Sequence, residues 1–137
     1  MFSFKLRVAV IIGGALLGVG VLPATAAMAS GGKCSGNAGV STCTYVKGTG
    51  LYVSYVNGQA YNGYGTNTGP VHIEIEGPAG RLRNCSAHVL APGTYGPVCT
   101  WTRDGNVQAG NYCSTAWEET RPGYYVKDAT ACVNVHS

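Results

Sequence analysis

Beyond residue 30, apolar and polar residues alternate with a period of two in short runs separated by Gly, Pro and Asn, and no run there repeats with the period of a helix. The cleanest stretch is residues 71–76 (VHIEIE). It sends Val71, Ile73 and Ile75 to one side and His72, Glu74 and Glu76 to the other. Gly77-Pro78-Ala79-Gly80 then turns the chain, so that residues 81–86 pair back and carry Arg81 or Arg83 toward the glutamates. The C-terminal run has the same character. Tyr112, Trp117, Tyr124, Tyr125, Val126, Val133 and Val135 are aromatic or β-branched, the types that fit a pleated, half-buried surface. Arg121-Pro122-Gly123 interrupts that run, because proline lacks an N–H donor and glycine accepts positive φ. The pattern predicts a hairpin with Cys113 and Cys132 at comparable distances from its turn.

Further strands are predicted at residues 41–47, 50–56 and 98–103, the last closed by Asp104-Gly105. Asn57-Gly58 is a two-residue hairpin signal, with residues 59–64 returning from it. Seven to eight short antiparallel strands, closely spaced, predict an all-β domain, a small β-sandwich. Gly110-Asn111-Tyr112-Cys113 resembles the Gly-x-Tyr-x-Cys entry to an immunoglobulin-type strand, which implies an immunoglobulin-like sandwich. It departs from that pattern in having no residue between the tyrosine and the cysteine.

Residues 1–29 read as a signal peptide. Lys5 and Arg7 supply a positive start, residues 8–22 are uncharged and apolar apart from glycines, and Ala27-Met28-Ala29 is an A-x-A cleavage site. The apolar stretch is shorter than the ~20 residues of a membrane span, so no membrane association is expected once it is removed. Cleavage takes 29 of the 137 residues and leaves 108, one secreted, extracellular domain over residues 30–137. Loss of Lys5 and Arg7 leaves seven basic residues against six acidic ones. That near-neutral chain has no basic cluster to track phosphates, which argues against nucleic acid as a partner.

All six cysteines (Cys34, Cys43, Cys85, Cys99, Cys113 and Cys132) follow the cleavage site, as in a disulfide framework. Six cysteines allow 15 pairings; neighbour pairing, 34 with 43, 85 with 99 and 113 with 132, suits an antiparallel meander. Zinc is not expected, because no C-x-x-C occurs and the histidines are not at finger spacing. No cofactor is implied. Residues 30–40 (SGGKCSGNAGV) are rich in glycine and predict a flexible arm ahead of the first strand.

Three sets of residues could carry function. Tyr52, Tyr55, Tyr61 and Tyr64 sit among Gly, Asn, Ser and Thr, the composition of antibody binding loops. With the arm residues Ser30, Gly31, Gly32 and Lys33 they form the favoured binding set. Its partner would be one or more secreted proteins, and tyrosine faces also stack on carbohydrate. Hydrolase chemistry could use His72, Glu74 and Glu76 on one strand face, or the Glu74, Arg81 and His88 set whose residue types match the secreted microbial ribonucleases. The plainer account of His72, Glu74 and Glu76 is the solvated face of an amphipathic strand. No G-x-S-x-G or unpaired cysteine suggests a nucleophile.

The ordering H-x-E-x-x-G-P-x-G at residues 72–80, G-x-Y-C at 110–113, Trp117 and A-C-V-x-V at 131–135 resembles small secreted proteins of filamentous soil bacteria. In size, signal peptide and disulfide-stapled β character the chain is also similar to the adaptor subunit of umbrella-shaped secreted toxin particles. That resemblance implies a non-catalytic adaptor bridging subunits of a toxin complex through an extended N-terminal segment. No functional residue is carried over from it. A stand-alone antimicrobial toxin or inhibitor is the third expectation.

Overall fold

The computed structural model describes residues 30–36 and 38–137; the predicted signal peptide lies outside them. Nine strands form among the described residues, one or two more than the pattern predicts, and several are long. The first sheet has the order β1 (Gly31–Gly36), β2 (Val40–Thr49), β3 (Tyr52–Asn62), β7 (Cys99–Asn106). The second has the order β5 (Gly80–Asn84), β4 (Pro70–Gly77), β8 (Gly110–Arg121), β9 (Tyr124–Val135), with the two-residue β6 (His88–Val89) also pairing with β4. All pairings are antiparallel, and the two sheets pack as a sandwich.

The core follows the alternation. Val40 and Val46 from β2, Val53 and Val56 from β3, Val71, Ile73 and Ile75 from β4, and Val135 from β9 are buried between the sheets. The disulfides join Cys34 to Cys43, Cys85 to Cys99 and Cys113 to Cys132. The first and third link directly opposed residues of β1–β2 and β8–β9, and so hold register. The second joins the segment after β5 to the start of β7, one sheet to the other. Tyr112 is buried, and its hydroxyl donates to the Gln108 carbonyl at 2.9 Å, four residues upstream. That is the bond of a tyrosine corner, formed although the local spacing differs.

Three expectations are corrected. Asn57-Gly58 is no turn: both lie inside β3, and the chain reverses at Gly50-Leu51, where Gly50 takes φ 55°. Gly58 is glycine because the other sheet comes close; a Cβ there would stand 2.6 Å from Ser114 Cβ and 2.8 Å from Ile73 Cγ2. Asp104-Gly105 does not end its strand but lies within β7, Asp104 taking φ 47° beside a register shift in β3–β7. Residues 31–36 of the predicted arm form β1, paired with β2 from Gly31↔Val46 to Gly36↔Ser41. The Ser30 hydroxyl donates to the Gly48 carbonyl at 2.8 Å and accepts from the Gly48 N–H at 3.0 Å, tying β1 to the β2 bulge.

Candidate functional site

The outward rows of the first sheet gather the tyrosines. Cross-strand register sets Gly32, Tyr45, Asn57 and Thr100 side by side, then Lys47, Tyr55 and Thr102, then Ser41 and Tyr61. These are the positions that alternate with the buried valines and threonines, so their side chains stand on the outer face. Tyr45 and Tyr55 lie 6.3 Å apart between ring centroids, and Tyr61 packs on Tyr95 at 4.8 Å. Thr100 donates to Asn57 Oδ1 at 2.8 Å, and Gln59 Nε2 donates to the Gly96 carbonyl at 2.8 Å, so the polar groups between the rings are held in place. Tyr45 and Tyr95 remain 40% and 62% exposed, large apolar areas to leave in water on one face.

The four tyrosines of the predicted set do not form one loop cluster. Tyr55 and Tyr61 share the face. Tyr52 and Tyr64 lie at and beyond opposite ends of the 11-residue β3, roughly 35 Å apart at the rise of a strand. Tyr52 hydrogen-bonds the Asp104 carboxylate, and that bond, with burial and the Asp104 charge behind it, raises its phenol above the usual range. Tyr64 lies against Gly39, where any Cβ would meet its ring at 2.6 Å. Of the arm residues, Ser30 and Gly31 are half-buried beside β2, whereas Gly32 and Lys33 are exposed.

The charged set lies on the second sheet. Glu74 is buried, not solvated, although it sits on the outer side of β4. Arg81 Nη2 reaches Glu74 Oε1 at 3.1 Å, as the turn at residues 77–80 predicts, and His72 Nε2 stands 3.6 Å from the same oxygen. The His72 ring meets Tyr125 edge-on at 4.7 Å. Glu76 is exposed. His88 lies elsewhere: opposite Val71, it lines a cavity with the inward side chains Val71 and Ile73. His72 and His88 therefore serve opposite faces of β4, and the Glu74, Arg81 and His88 set is not assembled. Among the described residues no group of three or more His, Cys, Asp or Glu could hold a metal ion.

Two features had no sequence signal. Asp128 falls at a β9 bulge, its Oδ2 buried without a hydrogen-bond partner among the described residues, as is Trp117 Nε1. Burial, with the Glu118 charge adding to it, lifts the Asp128 carboxyl to about 6. Tyr95, far from the tyrosine-rich stretch, completes the aromatic face through an isolated bridge to Tyr61.

Fold and site together define a small all-β sandwich with three disulfides, a type common among extracellular proteins, with an aromatic outer face. No family model, no curated protein and no solved structure matches the chain.

Proposed function

We propose that the protein is a secreted, non-catalytic binding module that engages another secreted protein through the outer face of the first sheet and the adjoining β1 edge. The observation that carries this reading is the row of Tyr45, Tyr55, Tyr61 and Tyr95 with fixed amides and hydroxyls between them. Such rings give a large contact area at little entropic cost, and the ordered polar groups add selectivity. Secretion fits three disulfides in one small domain and the signal features of residues 1–29. The non-catalytic reading is supported by the engagement of Glu74 with Arg81 and by the separation of the two histidines across β4. In its finer form, an adaptor of a secreted toxin assembly, the module needs a second surface. The exposed Tyr124, Tyr125 and Val126 at the β8–β9 tip supply one.

The test is affinity capture from culture supernatant by the immobilised, disulfide-intact protein, with captured proteins identified by mass spectrometry. The Tyr45→Ala/Tyr55→Ala variant should lose a specific protein that the parent retains, with an unchanged near-ultraviolet spectrum. Lys33→Glu, on the paired edge strand β1, should weaken the same capture. Identical capture by parent and variants would overturn the assignment of this face.

A further inference from the structure

Between the sheets, where the segment from β6 to β7 closes over β4, lies a cavity of about 280 Å³. Its inner wall is apolar, with Val71 and Ile73 from β4 and the buried Leu90 facing them, Val98 stands exposed at its rim, and the larger part of the remaining lining is polar. Its mouth is polar, formed by Arg83 on β5, Ser86, and His88 on β6, all exposed. The register explains why two arginines two residues apart have different surroundings. A bulge sets Glu76 opposite Arg81 but Ile75 opposite Arg83, so Arg81 joins Glu74 on the outer side while Arg83 stands over the inward row. His88, opposite Val71, flanks the same row.

No carboxylate lines this cavity among the described residues. Nor do the side chains of Arg83, Ser86 and His88 make a hydrogen bond, ion pair or ring contact with any described residue. A guanidinium, an imidazole and a hydroxyl thus line one recess, floored by apolar side chains, without a countercharge. Sites of this composition bury an apolar body and fix one polar end, and guanidinium matches carboxylate geometry with two parallel bonds. The volume equals the liquid share of about nine water molecules, which sets the size of the occupant.

We propose that this cavity is a binding site for a small carboxylate with a compact apolar body. The carboxylate accepts from Arg83 and His88, and the apolar body lies against Val71, Ile73 and Leu90. The site differs from the aromatic face on the outer side of the first sheet but adjoins it, since Val98 at its rim also borders Tyr45 and Gln59.

Octanoate, of about ten non-hydrogen atoms, is the probe. The disulfide-intact protein would be titrated with octanoate, octanol and octylammonium, followed by amide chemical shifts. Octanoate should bind saturably with a Kd of about 1 mM or tighter, shifting residues 71–73, 83–90 and 96–99. Octanol should bind at least tenfold more weakly, and octylammonium should not bind. Arg83→Gln should weaken octanoate about tenfold, the effect of losing a charge-assisted pair, whereas Arg103→Gln should bind it as the parent does. Val98→Glu, a change at an exposed position on the rim, should also weaken binding. No saturable shift at these residues, equal binding of octanol, or unchanged octanoate binding by Arg83→Gln would each overturn the proposal.

Discussion

Replacing Asp128 by asparagine should stabilise the protein at neutral pH and leave it unchanged in acid. The β8–β9 register jumps from Ala116↔Ala129 to Trp117↔Lys127, so Asp128 has no residue opposite it. Its side chain is partly buried, and Oδ2 finds no hydrogen-bond partner among the described residues. A carboxylate placed so loses hydration without compensation, and Glu118 adds like charge. Burial first and Glu118 second raise its pKa from 3.8 to about 6. The folded state therefore holds this proton more tightly than the unfolded chain. The stabilising contribution is complete below pH 3.8 and is lost as pH rises through about 6. A shift of about two units corresponds to roughly 3 kcal/mol. Water reaches part of the side chain and screens it, so the expected net effect is about 1 kcal/mol.

Asparagine keeps the shape and removes the charge. Urea unfolding followed by the fluorescence of Trp101 and Trp117, disulfides intact, would be measured at pH 4, 5, 6 and 7.5. At pH 7.5 the variant's midpoint should lie about 0.5–1 M above the parent's, given slopes typical of small domains. The gap should shrink as pH falls through 6, be small at pH 4 and vanish only below the unfolded-state value of 3.8. Carboxylates remote from Asp128 titrate alike in both proteins and cancel in the difference. A gap that does not change with pH, or a variant less stable at pH 7.5, would refute the assignment of an uncompensated charge to Asp128.

Gly58→Ala should cost about 1–3 kcal/mol, because the added methyl meets Ser114 and Ile73 of the facing sheet and neither can withdraw without moving its strand; thermal unfolding would report it. Cys113→Ser/Cys132→Ser should cost about 2–5 kcal/mol, and a non-reducing peptide map of that variant should show the other two bridges unchanged.

The elements with strong period-two patterning and unambiguous turn chemistry were legible in the chain. Val71, Ile73 and Ile75 face inward, and the hairpin turns at Pro122-Gly123 with Cys113 opposite Cys132. What escaped depends on partners remote in sequence. Gly58 has the local signature of a turn, and only the approach of Ser114 from the other sheet shows why a strand needs it there. β1 buries almost no side chain, so alternation is silent; backbone pairing and one disulfide hold it. Glu74 reads as solvated until Arg81 and His72 are seen beside it. Bulges did further damage, since a single extra residue reverses the faces that follow. Arg83 over the cavity and Asp128 in its partly buried site both owe their positions to one. The tyrosines were legible as a group, but their division between one sheet face and the two ends of β3 was not.

The centre of the sandwich is more polar than its flanks, and this bears on how the sheets choose their docking. Along β2 the inward positions run Val40, Thr42, Thr44, Val46, all at 1% exposure or less. Thr42 and Thr44 meet Ser114 of β8, another fully buried residue. Thr44 Oγ1 donates to the Ala131 carbonyl at 2.7 Å and accepts from the Ser114 N–H at 2.9 Å, so one hydroxyl of the first sheet touches two strands of the second. Valines alone would let the sheets slide, because apolar burial has no direction. Hydrogen bonds made only in one alignment penalise every other, since a buried polar group left unpaired costs about 1–3 kcal/mol. Thr44→Val is nearly isosteric and more apolar, and burial considered by itself predicts a gain. The hydroxyl geometry predicts the reverse: a loss of about 1–3 kcal/mol, with Thr44→Ser, which keeps the hydroxyl, better tolerated than its lost methyl and greater polarity suggest. Denaturant midpoints of the two variants decide between these accounts. A Thr44→Val protein as stable as the parent would show that packing, not the hydroxyl network, aligns the sheets.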